Sequence, residues 1–456
     1  MRKAVFISLV VGLVAATKTA GAEVPVPTQC YLREVPKAGG SLGLGTCPYT
    51  GVAWAAQAVG PAPQSEGKVV GASWLCGIGN GGDQINLTLV NDQGKQVKPA
   101  FPLMPASISG SGEGQASNGN ALMFVPKLAA ATDPIWFMTG VERNYMCGGN
   151  WSQSCMIYGM TGAEDGRRLA FTPFDNNETH VTEGMFRSGR EAVFSLRRGP
   201  PVQGQPPPAI IGKSWRADGT LGRVNEPVIY QPANGESVDT IRGAAYIPDP
   251  LNNPNNGQLF WVFNSGTQGL MLVVTDLLGN VVRTHVVAAN MRPMVEQSIT
   301  AVHATVHEVF PALGDPSFWF RQVIHVLVTD YGRQKNYLLV IDDRGHVYNQ
   351  TTIDGGGDTT HTVMSMKRNE GMVYVELRRD ANNDEAIIYA FNLAGNHVAG
   401  NPLLDNGLRV RSSDGIGVAA LPNKRVMVFG SNAYGGPAPL DSEFWWQLYE
   451  CAENPL

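Results

Sequence analysis

Charge is scarce in this chain: Asp, Glu, Lys and Arg make up 16% of its 456 residues, against roughly 25% in ordinary soluble domains. The net charge of −5 offers no basic patch, so nucleic acid is not an expected partner. Beyond the first residues no stretch of about twenty apolar residues occurs, so no helical membrane span is expected. No long apolar pattern of period 3.6 occurs there either, so helices are not the building unit.

Catalytic signatures are missing as well. G-x-S-x-G does not stand in a strand–turn–helix context. The glycine clusters GIGNGGD at 77–83 and DGGGD at 354–358 are not followed by a lysine and a helix, so neither is a phosphate loop. His303 and His307 have a zinc-like spacing, but on a strand they stand about 13 Å apart along one face, too far for one ion to bridge. In RRDANNDEA at 378–386, Asp380, Asn382 and Asp384 come nearest to a calcium loop, yet they read as a hairpin tip. No metal and no cofactor is expected.

What the chain has in abundance is turns, with Gly 53 and Pro 30. A phrase of apolar run, polar turn closed by glycine, and second extended run recurs along it. It reads LTLVNDQGKQV at 87–97, IYGMTGAEDGRRLAF at 157–171, IIGKSWRADGTLGRV at 210–224, LMLVVTDLLGNVVRTHVV at 270–287, YLLVIDDRGHVYNQTTI at 337–353 and IIYAFNLAGNHVAGNPLL at 387–404. Its marker glycines are Gly94, Gly166, Gly219, Gly279, Gly345 and Gly395. Each copy predicts two strands joined by a tight turn, because glycine supplies the positive φ such turns require. A strand-only repeat of this length predicts a β-propeller with one four-stranded blade per repeat.

The first residues read as a leader. Arg2 and Lys3 precede the mostly apolar stretch Ala4 to Ala16, and Ala20-Gly21-Ala22 offers small residues for a cut before Glu23. Residues 1–22 are therefore expected to be removed and the mature protein exported, to the periplasm or the extracellular space. Six cysteines in such a chain point to disulfides.

Residues 23–456 are expected to form one all-β domain of seven antiparallel blades, at 45–103, 116–175, 180–231, 238–289, 298–353, 360–404 and 409–456. The last unit, GIGVAAL, KRVMVFGS and FWWQLYEC, has three strands, while QCYLREV at 29–35 has no blade of its own. An unpaired edge is an aggregation hazard. The N-terminal strand over 29–36 is therefore expected to pair with FWWQLYEC and complete the seventh blade. That pairing would bring Cys30 to Cys451. Cys47 with Cys76, and Cys147 with Cys155, face each other across hairpins in the same scheme.

On these units the chain resembles the seven-bladed propeller superfamily, particularly its bacterial exported branch with D-x-x-G turns. The resemblance covers roughly residues 29–456. It implies an architecture and no functional residues, since the G-H…W-D signature, a quinone-binding tryptophan motif and repeated D-x-D-x-D-G turns are all missing.

In such an architecture the starts of the inner strands ring one mouth of a central channel. Aligning CPYTGVAW, ASNGNALM, HVTEGMF, DTIRGAAY, SITAVHAT, DTTHTVMS and SSDGIGVA places Tyr49, Asn118, Glu183, Arg242, His303, His361 and Asp414 there. His325, in VIHVLV, reads instead as a packed core histidine. The expected role is that of a monomeric, non-enzymatic exported scaffold, binding a protein or glycan through its loop face or channel mouth. The alternative is an exported hydrolase or lyase. There His361 or His303 would be the base, Glu183 or Asp414 the acid and Arg242 an anion clamp.

Overall fold

A computed structural model describes twenty-eight strands, Cys30, and the connecting residues 92–96, 209, 218–220, 231–236, 238, 257, 266–268, 276–280, 287, 342–346, 393–398 and 423–424. The fold is all-β and built of small antiparallel sheets. Among the described residues there are seven, of four strands each.

The first holds β2 (Tyr49–Ala58), β3 (Val69–Gly77), β4 (Asp83–Asn91) and β5 (Phe101–Met104). The second holds β6 (Gly114–Phe124), β7 (Trp136–Asn144), β8 (Ser154–Gly162) and β9 (Arg168–Phe174). The third holds β10 (Thr179–Phe186), β11 (Glu191–Arg197), β12 (Ile210–Arg216) and β13 (Leu221–Tyr230). The fourth holds β14 (Gly243–Ile247), β15 (Gln258–Ser265), β16 (Gly269–Thr275) and β17 (Val281–Val286). The fifth holds β18 (Gln297–Glu308), β19 (Phe320–Asp330), β20 (Lys335–Ile341) and β21 (Val347–Ile353). The sixth holds β22 (Thr362–Asn369), β23 (Met372–Arg378), β24 (Glu385–Asn392) and β25 (Leu408–Arg411). The seventh runs β26 (Ile416–Leu421), β27 (Arg425–Asn432), β28 (Glu443–Ala452), and then β1 (Tyr31–Gly43), from the opposite end of the chain.

Middle strands are continuous apolar runs because both of their faces are covered. In β15, Leu259, Trp261 and Phe263 pack on Val193, Ile210 and Val224 of the third sheet. Their alternates Phe260 and Val262 pack on Ile324 and Val326 of the fifth. The side-chain period of two divides one strand between two interfaces. The sixth sheet repeats this: Val373 and Val375 join the cluster with the fifth sheet's Leu327 and Leu338, and Met372 and Tyr374 join Val418 and Val428 of the seventh. Each fully buried large side chain contributes about 1.5–3 kcal/mol of transfer free energy. Inner strands lie beside one another in series, β2 with β6, β6 with β10, and onward through β14, β18, β22 and β26, and β26 lies against β2.

The polar residue of each described repeat turn accepts backbone N–H groups. The Asp276 carboxylate accepts the N–H groups of Leu278 and Asn280, at 2.8 and 2.9 Å. Asp342 does the same for Arg344 and His346, and the Asn91 amide oxygen for Gln93 and Lys95. Gly94, Gly219, Gly279, Gly345 and Gly395 all have positive φ, from 73° to 86°. Gly166 lies outside the described residues. These turns also join the sheets. A Cβ on Gly279 would come 2.3 Å from Pro227 of β13, and one on Gly395 would come 2.7 Å from Val340 of β20. On Gly94 it would come 2.3 Å from the backbone of Ala38 in β1. The first sheet thus meets the last through the same contact that joins consecutive sheets.

Two strand readings need correcting. HVAGNPLL was expected to form the outer strand of the sixth sheet. Among the described residues His397 makes only an isolated bridge to Phe391, and the outer strand is Leu408–Arg411, where the seventh unit was expected to begin. The carbonyl of Val398 is taken by the N–H of Cys30 at 2.9 Å, and Pro402 removes a ladder donor. Likewise KQV of the first repeat gives only the bridge Gln96–Val90, with the outer strand at Phe101–Met104 beyond Pro99.

The terminal strands pair as expected: Tyr31 with Ala452, Leu32 with Cys451 and Arg33 with Glu450, with a bulge between Glu34 and Gly39. Cys30 and Cys451 form a disulfide across a sequence separation of 421. Cys47 and Cys147 lie outside the described residues, and for Cys76 in β3 and Cys155 in β8 only the backbone is described.

Candidate functional site

Consecutive antiparallel strands place the starts of the inner strands, the β15–β16 turn and the crossing from β13 to β14 at one end of the sheets. The glycine-marked turns and the disulfide stand at the other. Of the seven residues expected at the first end, Tyr49, Asn118, Glu183 and His303 lie on β2, β6, β10 and β18, the inner strands of four different sheets. Arg242, His361 and Asp414 lie outside the described residues.

The four stand at different heights. Tyr49 opens its strand opposite Gly77, the last residue of β3. Asn118 falls in a register break between Ser117 and Gly119, and Glu183 in one between His180 and Gly184. His303 is deeper, paired with His325, five residues before the end of β19 at Asp330, or about 17 Å at the rise of a strand. His325 itself is a packed core histidine, fully buried. Its Nε2 lies 2.9 Å from the Leu393 carbonyl; a carbonyl can only accept, so Nε2 carries the proton. Among the described residues no three His, Cys, Asp or Glu side chains converge as metal ligands.

At the same end the structure adds a cluster that residue types did not announce. The chain leaves β13 at Tyr230, turns through 233–236 and bridges from Val238 to Ser265. Glu236 is buried there. Its Oε1 accepts the Tyr230 hydroxyl at 2.8 Å and the Ser265 hydroxyl, and its Oε2 accepts the Ala233 N–H at 2.7 Å. Burial pushes the carboxyl up, but these hydrogen bonds and one from Thr267 outweigh it and hold the group below the usual glutamate range. Tyr230 is pushed up to about 12, first by burial and then by its bond to Glu236. Its ring sits 4.7 Å from that of Phe263, and Gln268 Nε2 donates to its hydroxyl at 3.4 Å. A carboxylate so supplied with donors is a clamp on the crossing rather than a proton carrier. The only sequence signal for it was the Asn234-Gly235 turn just before Glu236.

A second buried carboxylate is spent in the same way. Glu191 accepts the Ser214 hydroxyl at 2.8 Å and the Arg223 N–H, and Ser214 Oγ accepts the Val224 N–H at 3.1 Å. Together they hold the irregular strand β13, where a Cβ on Gly222 would fall on both side chains.

No protein-family model matches this chain, and neither does any curated protein sequence. Among solved structures, prolyl oligopeptidase B from Galerina marginata is similar at 11% identity and a TM-score of 0.42, over 84% of this chain and 50% of that one. This chain thus spans about half the length of that enzyme. The alpha-L-arabinanase of Penicillium chrysogenum, solved with arabinobiose, is similar at 13% identity and a TM-score of 0.43, over 78% of this chain and 99% of that one. A Synechocystis apocarotenoid oxygenase mutant gives 8% and 0.37, over 66% and 61%. Likenesses this distant carry no argument about the site or its chemistry.

Proposed function

We propose that the seven sheets are the blades of a closed seven-bladed β-propeller, exported as a non-enzymatic scaffold that binds a protein or glycan partner at its mouth. The observation that carries the architecture is the seating of the Gly94 turn on Ala38, beside the Cys30–Cys451 bond. It repeats between the first and last sheets the contact that joins their consecutive neighbours. A disulfide fits an oxidising compartment. The role as a binder is supported by how the polar groups are used. Glu236 and Glu191 are occupied by neighbours and fix the backbone around them, as a rigid presenting surface requires. Tyr49, Asn118, Glu183, Arg242, His303, His361 and Asp414 are the proposed contacts at the mouth.

Capture from native envelope and culture fluid tests this reading, with the wild-type chain and an Arg242→Ala/His361→Ala variant as baits. The expected result is a protein or glycan retained by the wild type and lost by the variant. A substrate from a peptide and glycan panel that is turned over by the wild type, but not by the variant, would establish the enzyme reading instead.

A further inference from the structure

Among the described residues each of the seven sheets ends on an outer strand with no partner strand on its far side, and such an edge is a template for pairing with another chain. Six of the outer strands blunt it. β5 and β9 contain Pro102 and Pro173. β13 breaks register three times and contains Pro227. β25 is four residues long with two arginines. β1 bulges after Glu34 and exposes Arg33, Glu34 and Lys37. β21 shows polar side chains, two of them tied to the next sheet: Asn349 donates to the Ala394 carbonyl and Thr351 to that of Gly395.

β17 is tied to the next sheet on one face only, where Arg283 pairs with Asp343 and the Gly345 turn sits against His285; its other face carries none of these devices. Its sequence VVRTHV contains no proline and no acidic residue, and its one register break lies at its start. Its fixed charge, Arg283, is neutralised by Asp343 at 2.5 Å. Alternate residues share a face, and on one face Val282 and Val286 are 55% and 52% exposed, with exposed Thr284 between them. Leu278 and Val281 extend the exposed apolar surface at its start.

We propose that β17 pairs antiparallel with β17 of a second copy of this chain, about a two-fold axis at Thr284, joining two four-stranded sheets into one of eight. The occupant is argued from self-complementarity. Val282 and Val286 stand at equal distances on either side of Thr284, so a two-fold axis there sets valine opposite valine, the mutual contact of an isologous pair. In this register Val282 lies opposite Val286 of the second copy, twice over, and Thr284 lies opposite itself. Arg283 lies opposite His285 of the second copy on the other face, where its own Asp343 already balances it. One strand pair is small for an interface, so the dimer is expected at concentrations on the order of micromolar and above.

Sedimentation velocity of the exported chain between about 1 and 100 μM tests this. A dimer that grows with concentration is expected. Val282→Lys/Val286→Lys should abolish it without moving the thermal midpoint, while Leu221→Lys/Val228→Lys, on the neighbouring outer strand, should leave it intact. As a second reading, Thr284→Cys should be joined between two copies by a short bis-maleimide, because directly opposed Cβ atoms stand about 5.5 Å apart, beyond the span of a disulfide, whereas Val282→Cys should not. A monomer throughout, a dimer unaffected by Val282→Lys/Val286→Lys, or no cross-link through Thr284→Cys would overturn the proposal.

Discussion

The indole N–H of Trp446 donates to the carbonyl of Gly94 at 2.7 Å, across a sequence separation of 352. It links the third strand of the last sheet to the marker turn of the first. Arg425 reaches the same turn, donating to the Asp92 carbonyl at 3.0 Å. Trp446→Phe keeps most of the packing with Ala38, Phe444 and Val90 but leaves a buried acceptor without its donor. The expected loss is about 1–2 kcal/mol in denaturant unfolding.

Gly94 itself is expected to tolerate nothing larger. Its φ is +73° and an added Cβ would meet the Ala38 backbone at 2.3 Å. Gly94→Ala should destabilise by about 2 kcal/mol or more, from strain and from separating the first and last sheets. Gly43→Ala, with nothing within 4 Å, is the matched control and should shift stability by less than about 0.5 kcal/mol.

Removing the disulfide should be costly but not fatal. Cys30→Ser/Cys451→Ser releases a restraint on nearly the whole chain, and the expected loss is about 3–5 kcal/mol. The Arg33–Glu450 pair and the β1–β28 ladder remain. Far-ultraviolet circular dichroism should therefore stay native at room temperature while the unfolding midpoint falls.

The Glu236 clamp predicts behaviour at both ends of the pH scale. Tyr230 is raised in the fold to about 12, against about 10 when unfolded. Its contribution to stability is full below pH 10 and lost as pH climbs from there through 12. Glu236 is depressed, so its contribution is full above the unfolded value of about 4.3. It is lost as pH falls through the lower folded value. Unfolding curves of Tyr230→Phe should show less alkaline loss than wild type over 10–12, and those of Glu236→Gln less acid loss below about 4.

Much of the fold could be read from residue order because it is carried by local chemistry. Asp276-Leu277-Leu278-Gly279 announces its turn through a side-chain acceptor and a positive φ, and a run such as QLFWVFNS announces a strand covered on both faces. The pairing of β1 with β28 followed from counting strands, since the last unit was one short. The sixth sheet misled for a physical reason. The run after Gly395 looks like a strand, but the hydrogen bond that would extend it goes to Cys30 from the far end of the chain. Sequence periodicity cannot show that competitor. Glu236 was illegible for the same reason: its donors Tyr230, Ala233, Ser265 and Thr267 converge only after two sheets have packed. The inner strands were legible but the heights of the residues on them were not, because alignment of strand starts cannot show the register breaks at Asn118 and Glu183.

The central claim is that the chain ends meet and close the ring of sheets. Peptide mapping of the protein purified without reductant tests it most directly. The account predicts a disulfide-linked pair of peptides, one containing Cys30 and the other Cys451, released as separate masses on reduction. Cys30 found bonded to Cys47 or to any other cysteine would contradict it.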